Sequence, residues 1–139
     1  MARRLSPARF EQAVARAIDA LPEDFRSRLE NVAFMVDPFP DEETLDEMEC
    51  EGPYDLLGLY RGWPITERGT DYQGVLPDTI HLYREPILAY CAETGEDVVH
   101  CIVETVIHEV GHYYGLSDDE MHAIEAEARK EGRAGRSGR

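Results

Sequence analysis

Two histidines four residues apart, His108 and His112, bracket a glutamate in the stretch His108-Glu109-Val110-Gly111-His112-Tyr113-Tyr114-Gly115-Leu116-Ser117-Asp118. Written as a pattern this is H-E-x-x-H-x-x-G-x-x-D. On a helix, residues four apart lie on one face, one turn from each other, so the two imidazoles can be offered to a single ion. Zinc accepts neutral histidine nitrogens at about 2.0–2.1 Å in a near-tetrahedral array. Glu109 is rotated about 100° from His108 around the axis. Its carboxylate is then beside the metal but off the two-histidine face, where it can take a proton from water that the metal activates.

These residues need a helix to hold them. From Asp97 to Val110 the chain is rich in Val and Ile, and Val99, Ile102, Val103, Val106 and Val110 follow helical spacing. Val98, Cys101 and Ile107 add apolar faces, so a largely buried helix is expected from about Glu96 to Tyr114. His100, Glu104, His108 and His112 repeat every fourth residue along one side. A polar stripe on a buried helix needs partners. A metal is one partner, and hydrogen bonds to core histidines are the plainer one. Glu104 is therefore a further candidate ligand or support. Gly115 permits the left-handed turn that ends a helix. Ser117-Asp118-Asp119-Glu120 then fits S-x-x-E, the start of a second helix. Asp118 is the candidate third ligand at its mouth. Asp119 is an alternative, although both acids also suit simple dipole capping. His122, further into the second helix, is a rival third ligand or a hydrogen-bonding neighbour of the site.

The H-E-x-x-H-x-x-G-x-x-D string is similar to the extended zinc motif of metzincin peptidases, with Asp in place of the usual third His. Upstream, Leu57-Gly58-Leu59-Tyr60-Arg61-Gly62, then Pro64, Arg68, Gly74, Leu76-Pro77-Asp78, Ile80 and Tyr83-Arg84 resemble the small bacterial zincin-like metallopeptidase family. The resemblance spans roughly residues 8 to 128. It implies an α+β minimal zincin-like fold, with a short mixed sheet packed against N-terminal helices and a buried metal helix. It also implies Zn2+ as cofactor, with His108, His112 and Asp118 as ligands and Glu109 as the base. Metzincins carry a methionine-containing turn beneath the metal. Too little chain follows Asp118 to build that turn, and Met121 is not an obvious substitute.

At 139 residues, with 42% hydrophobic residues, the chain suits one domain. The domain is expected over residues 1–131, with a disordered Gly/Arg/Ser-rich tail over 132–139. The net charge of −15 and pI near 4.6 argue against a nucleic-acid partner. No apolar h-region follows the basic start, and no run of 18 apolar residues exists, so neither a secretory signal nor a membrane span is expected. Cys50, Cys91 and Cys101 form no C-x-x-C and read as reduced thiols in a cytoplasmic protein, a Cys91–Cys101 disulfide being the alternative.

Along the chain, Ser6 caps and Pro7 opens an amphipathic helix whose buried face is Phe10, Ala13, Val14, Ala17, Ile18 and Leu21. Pro22 stops it, and a short helix through about Leu29 follows. Val32 to Val36 reads as a buried strand. Asp37 to Asp55 carries nine acids and no Lys or Arg. It reads as a solvated face dispensable for the fold, with a helical turn between Thr44 and Cys50, or as an acidic rim that selects basic substrates. Asp55 to Arg61 reads as a strand. Gly62 to Pro77 is a long loop of the kind that often carries function. Thr79 to Arg84 alternates as a two-faced strand. A helix opens at Pro86 and breaks at Thr94-Gly95. The last helix runs from Asp118 to about Lys130.

The first reading of function is a zinc-dependent metallopeptidase acting on a peptide or protein substrate. An extended substrate would pair with a sheet edge, and the Thr79–Arg84 strand is the candidate edge. Tyr113, Tyr114 and His122 are candidate oxyanion stabilisers. A metal-dependent RNA hydrolase is the second reading, since some such nucleases space their ligands as H-x-x-x-H-x-x-x-x-x-H. The extra Glu109, the Asp in the third slot and the acidity depart from that pattern. A zinc-binding module without turnover is the third.

Overall fold

A computed structural model of the chain describes residues 5–62 and 77–137, with side chains as far as Lys130. The first helix, α1 (Pro7–Ala20), forms as its local signals require. Ser6 Oγ accepts the Arg9 N–H at 3.2 Å, and Phe10, Ala13, Val14 and Ala17 are buried. A short helix α2 (Glu23–Ser27) and the strand β1 (Val32–Asp37) follow. β1 is only half-buried, and Met35 is exposed. A fully buried strand was expected from its apolar run. The difference arises because β1 is an outer strand, paired on one side only among the described residues.

Next come α3 (Glu42–Glu47), β2 (Gly58–Arg61), β3 (Asp78–Tyr83), α4 (Arg84–Thr94), α5 (Val98–Tyr114) and α6 (Asp118–Ser137). The described fold is α+β, with a three-stranded mixed sheet in the order β1-β3-β2. β1 runs parallel to β3, with Val32 opposite Asp78. β2 runs antiparallel to β3, with Tyr60 opposite Ile80. β3 is therefore central and has no open edge. This corrects the expectation that Thr79–Arg84 would be an edge awaiting a substrate. Its burial alternates as the sequence implies, with Ile80 and Leu82 inside and Thr79 and His81 partly out.

The acidic segment also differs from a merely solvated face. Asp41 caps α3 by accepting the Thr44 N–H at 2.8 Å. The Arg61 guanidinium donates to Thr44 Oγ1 at 3.1 Å and to Glu47 Oε2 at 3.2 Å. Thr44 is buried, and Phe39 meets Tyr54 edge-on at 5.2 Å between centroids. The Arg61 bonds tie the segment to β2, so its polar residues dock through hydrogen bonds where apolar periodicity is lacking. The loop expected to carry function lies, in residues 63–76, outside the described residues. The backbone of α6 passes the expected end near Lys130 and stays helical to Ser137, within the tail expected to be disordered.

The core centres on α5, which touches α1, α4, α6, β2 and β3. Phe10, Leu21, Ile80, Leu82, Ile87, Ile102 and Ile107 are wholly buried around it. Each such side chain contributes about 1.5–3 kcal/mol on burial. No helix among the described residues is long and apolar enough to cross a membrane.

Candidate metal centre

α5 carries the two histidines and Glu109. Asp97 caps it by accepting the His100 N–H at 3.0 Å. Gly115 ends it in the left-handed region at φ 72°, which a residue with a Cβ reaches only under strain. The chain then turns straight into α6. Ser117 Oγ accepts the Glu120 N–H at 3.1 Å, and Glu120 Oε1 accepts the Ser117 N–H at 2.9 Å. This is the reciprocal capping box that S-x-x-E foretells, and the Ser117 N–H, then its hydroxyl, hold the Glu120 carboxyl below its usual pKa.

The turn lays α6 back along α5. Met121 packs on Gly111: a Cβ placed at Gly111 would lie 2.4 Å from the Met121 sulfur. One turn further on, Glu125 Oε1 meets His108 Nε2 at 2.7 Å. One turn beyond that, the Arg129 guanidinium reaches His100 Nε2 at 3.4 Å. Met121 thus lies buried against the helix that carries the motif, although the sequence offered no reason to place it there.

His108 is half-buried and His112 exposed, with ring centroids 6.0 Å apart. Glu109 is half-buried beside them. Its carboxylate accepts the backbone N–H of Tyr60, so β2 holds that side chain in place. Burial raises its pKa, against the lowering pull of His112, the Tyr60 N–H and His108. A carboxylate that is harder to ionise than in water is a stronger proton acceptor when charged.

Asp118, Asp119 and His122 are all exposed on the first turns of α6. Among the described residues, two sets of three ligand-type side chains bring their donor atoms within 4.8 Å of one another. These are Glu104, His108 and Glu125, and Glu96, His100 and Glu104. The trio His108, His112 and Asp118 is not brought that close in this arrangement. Glu104 lies 2.6 Å from His100 Nε2, and Glu96 is 3.5 Å from the same atom. The Glu96 carboxyl shares a hydrogen bond with that of Glu104, which raises its pKa. Each set holds one imidazole and two carboxylates, donor types that zinc takes, while the usual catalytic set of two histidines and one carboxylate is not gathered within that distance among the described residues.

Glu125 was not singled out from the sequence. Its signal was there: Met121, Glu125 and Ala128 form the inward stripe of α6, and one acid among core positions is unusual.

A cleft of about 320 Å3 opens beside the helix, bordered by Leu57, Gly58, Tyr90, Glu104, His108 and Glu109 among others. At the far end of α5, Tyr113 stacks on Tyr60 at 4.2 Å and Tyr114 meets Tyr60 edge-on at 6.1 Å. The Tyr60 hydroxyl donates to Asp78 Oδ2 at 2.6 Å. Burial, then the bond to Asp78, pushes its pKa up. A second cleft of about 470 Å3 is lined by Asp37, Asp41, Glu43 and Glu47, with Arg61 and His81. Cys50, Cys91 and Cys101 are free thiols, and the Cys91 and Cys101 side chains hydrogen-bond to each other.

No match is found among curated proteins. A family model for zincin-like metallopeptidases matches residues 29–128, which takes in the sheet, the two-histidine helix and α6 as far as Ala128. By that match, over most of its length, the chain belongs to the zincin-like metallopeptidase family.

Proposed function

We propose that the protein is a zinc-dependent peptidase in which Glu109 is the general base. Zinc, when bound, supplies a Lewis acid that activates water and polarises the scissile carbonyl. His108 and His112 would hold it with a carboxylate, for which Asp118 is the candidate by spacing. Glu109 takes the proton from water and returns it to the leaving amine. The observation that carries this reading is the placing of Glu109: a half-buried carboxylate, fixed by the Tyr60 N–H, next to two histidines on one helix. The substrate is a peptide or protein. The acidic lining of the Asp37–Glu47 cleft favours basic side chains near it. Free thiols suit a cytoplasmic setting.

Glu109→Gln tests the reading. It keeps shape and hydrogen bonding but removes the proton acceptor. The variant is expected to keep its fold and its zinc and to lose peptide hydrolysis about 10²–10⁴-fold, the typical worth of general-base catalysis. Peptide turnover at the wild-type rate in this variant would overturn the mechanism. RNA cleavage that depends on the metal would favour a nuclease, against which the net charge of −15 argues. No turnover of either polymer by zinc-loaded wild type would favour a binding module.

A further inference from the structure

We propose that the cleft between α3 and the sheet is a specificity subsite, which takes the guanidinium side chain of an arginine in the peptide substrate. This rests on the peptidase reading above and names the class of substrate that the reading leaves open.

The cleft encloses about 470 Å3. The carboxylates of Asp37, Asp41, Glu43 and Glu47 line it, against one guanidinium, that of Arg61. Arg61 already answers Glu47 at 3.2 Å. Asp37 meets only an imidazole, His81 Nδ1 at 3.4 Å, and Asp41 accepts the Thr44 N–H at 2.8 Å. No fixed cation among the described residues pairs with Asp37, Asp41 or Glu43. A cleft lined by one sign of charge concentrates the other. Phe39 and Tyr83 add aromatic walls, which suit a planar cation that can stack and hydrogen-bond at once.

Tyr83 points to the same ligand independently of the charge. It faces Asp37 in register at the ends of β3 and β1, and it is 3% exposed although it lines the cleft. Among the described residues its hydroxyl has no hydrogen-bonding partner. Buried hydroxyls are normally bonded, and Phe would fill the position without leaving a polar group unpaired. The residues whose charges act on this hydroxyl include Arg61, Asp37 and Asp41, all on the cleft wall, so it is turned towards the cleft. There it can accept an N–H from an incoming guanidinium.

The acids of the cleft are not among the groups of donors that converge within 4.8 Å. Such spacing suits a forked cation with several N–H donors and not a bare metal ion. Tyr83 also links the cleft to α5. Its N–H donates to the Leu57 carbonyl at 2.9 Å, and Leu57 borders the opening that holds His108 and Glu109. A peptide seated beside Glu109 can therefore send one side chain into the acidic cleft.

The test uses the full zinc-loaded chain and short alanine-based peptides with one arginine, or with citrulline, its neutral isostere, at the same position. Binding is read by NMR titration in the Glu109→Gln chain, and cleavage with Glu109 intact. The arginine peptide is expected to bind at least about 10-fold more tightly, the worth of hydrogen bonds to a charged group, and to shift the resonances of Phe39 and Tyr83. Asp37→Asn with Glu43→Gln should shrink that preference by about 3-fold or more, as for partly exposed ion pairs. Tyr83→Phe should shrink it by about 3-fold through loss of one hydrogen bond. Glu11→Gln, which removes the same charge from the exposed side of α1, should keep the full preference.

Equal binding of the two peptides overturns the proposal. So does a preference that Glu11→Gln weakens as much as the paired Asp37 and Glu43 changes do. Resonance shifts confined to residues outside the cleft also overturn it, and that measurement decides even where a cleft variant does not fold. Arginine-dependent binding in the cleft without cleavage would sink the peptidase reading and leave the cleft as the arginine site. Cleavage of both peptides with no difference in binding would do the reverse, so the two failures are distinguishable.

Discussion

Tyr83, the last residue of β3, shows how one side chain joins the sheet to the acidic side of the molecule. It is 3% exposed. Burial pushes its hydroxyl up to about 12, with Asp37, Asp41 and Glu109 adding to the rise and Arg61 opposing it. The neutral phenol is thus the form that the fold favours. Its contribution to stability is fully present below pH 10, the unfolded value, and is lost as pH rises through about 12. Tyr83→Phe is expected to remove that contribution's pH dependence. Melting temperature followed from pH 9 to 12 should fall more steeply for wild type than for the variant over the upper part of that range. Parallel curves would show that Tyr83 ionises as if in water. The same scale explains what was legible in the site. Glu109 and the two histidines are local, within five residues of one helix, and their spacing alone places them. Glu125 meets His108 only across a turn, so that contact is visible only once α6 is folded back.

Among the elements, the α5–α6 pair depends on a single small residue. Gly111 lets Met121 approach, and a methyl group there would collide with the Met121 sulfur and Cγ, at 2.4 and 2.8 Å. Met121 is flexible but 1% exposed, with little room to retreat. Gly111→Ala gains at most about 1 kcal/mol of helix propensity and is expected to lose about 1–3 kcal/mol by overpacking. Denaturant unfolding should show a net loss, and pairing it with Met121→Ala should recover part of the clash relative to the sum of the two single changes. A stabilised Gly111→Ala would mean that the helices part without cost. Caps and periodicity made these helices readable in advance: Ser6, Asp97, Gly115 and the Ser117–Glu120 box act within one turn of themselves. β1 and β3 were readable as strands by their residues, but not in their order. Pairing partners are set by distant chain, and an alternating strand does not say whether it has one neighbour or two.

Across the whole molecule, composition argued for a real core and against nucleic acid, and the fold agrees with the first point: an apolar centre around α5, in which Asp78 and Glu125 are the buried acids among the described residues. The acidic stretch from Asp37 to Asp55 was the poorest guide. Its charge marks exposure, yet Thr44 and Glu47 within it bind it to Arg61 of β2. Polar docking of that kind leaves no periodic trace in a sequence, because a hydrogen bond needs one atom in one place and no repeating face.

The parallel pairing of β1 with β3 has a consequence in time. Val32 finds Asp78 only after α3, β2 and the 63–76 segment have been strung between them, whereas Gly111 and Met121 are joined by one tight turn. Loop-closure entropy delays the first contact and spares the second. The helical hairpin of α5 and α6 should therefore form early, as a nucleus on which the sheet later condenses. In denaturant-jump kinetics, Met121→Ala is expected mainly to slow folding and Ile80→Val mainly to hasten unfolding. The reverse pattern would put the sheet first.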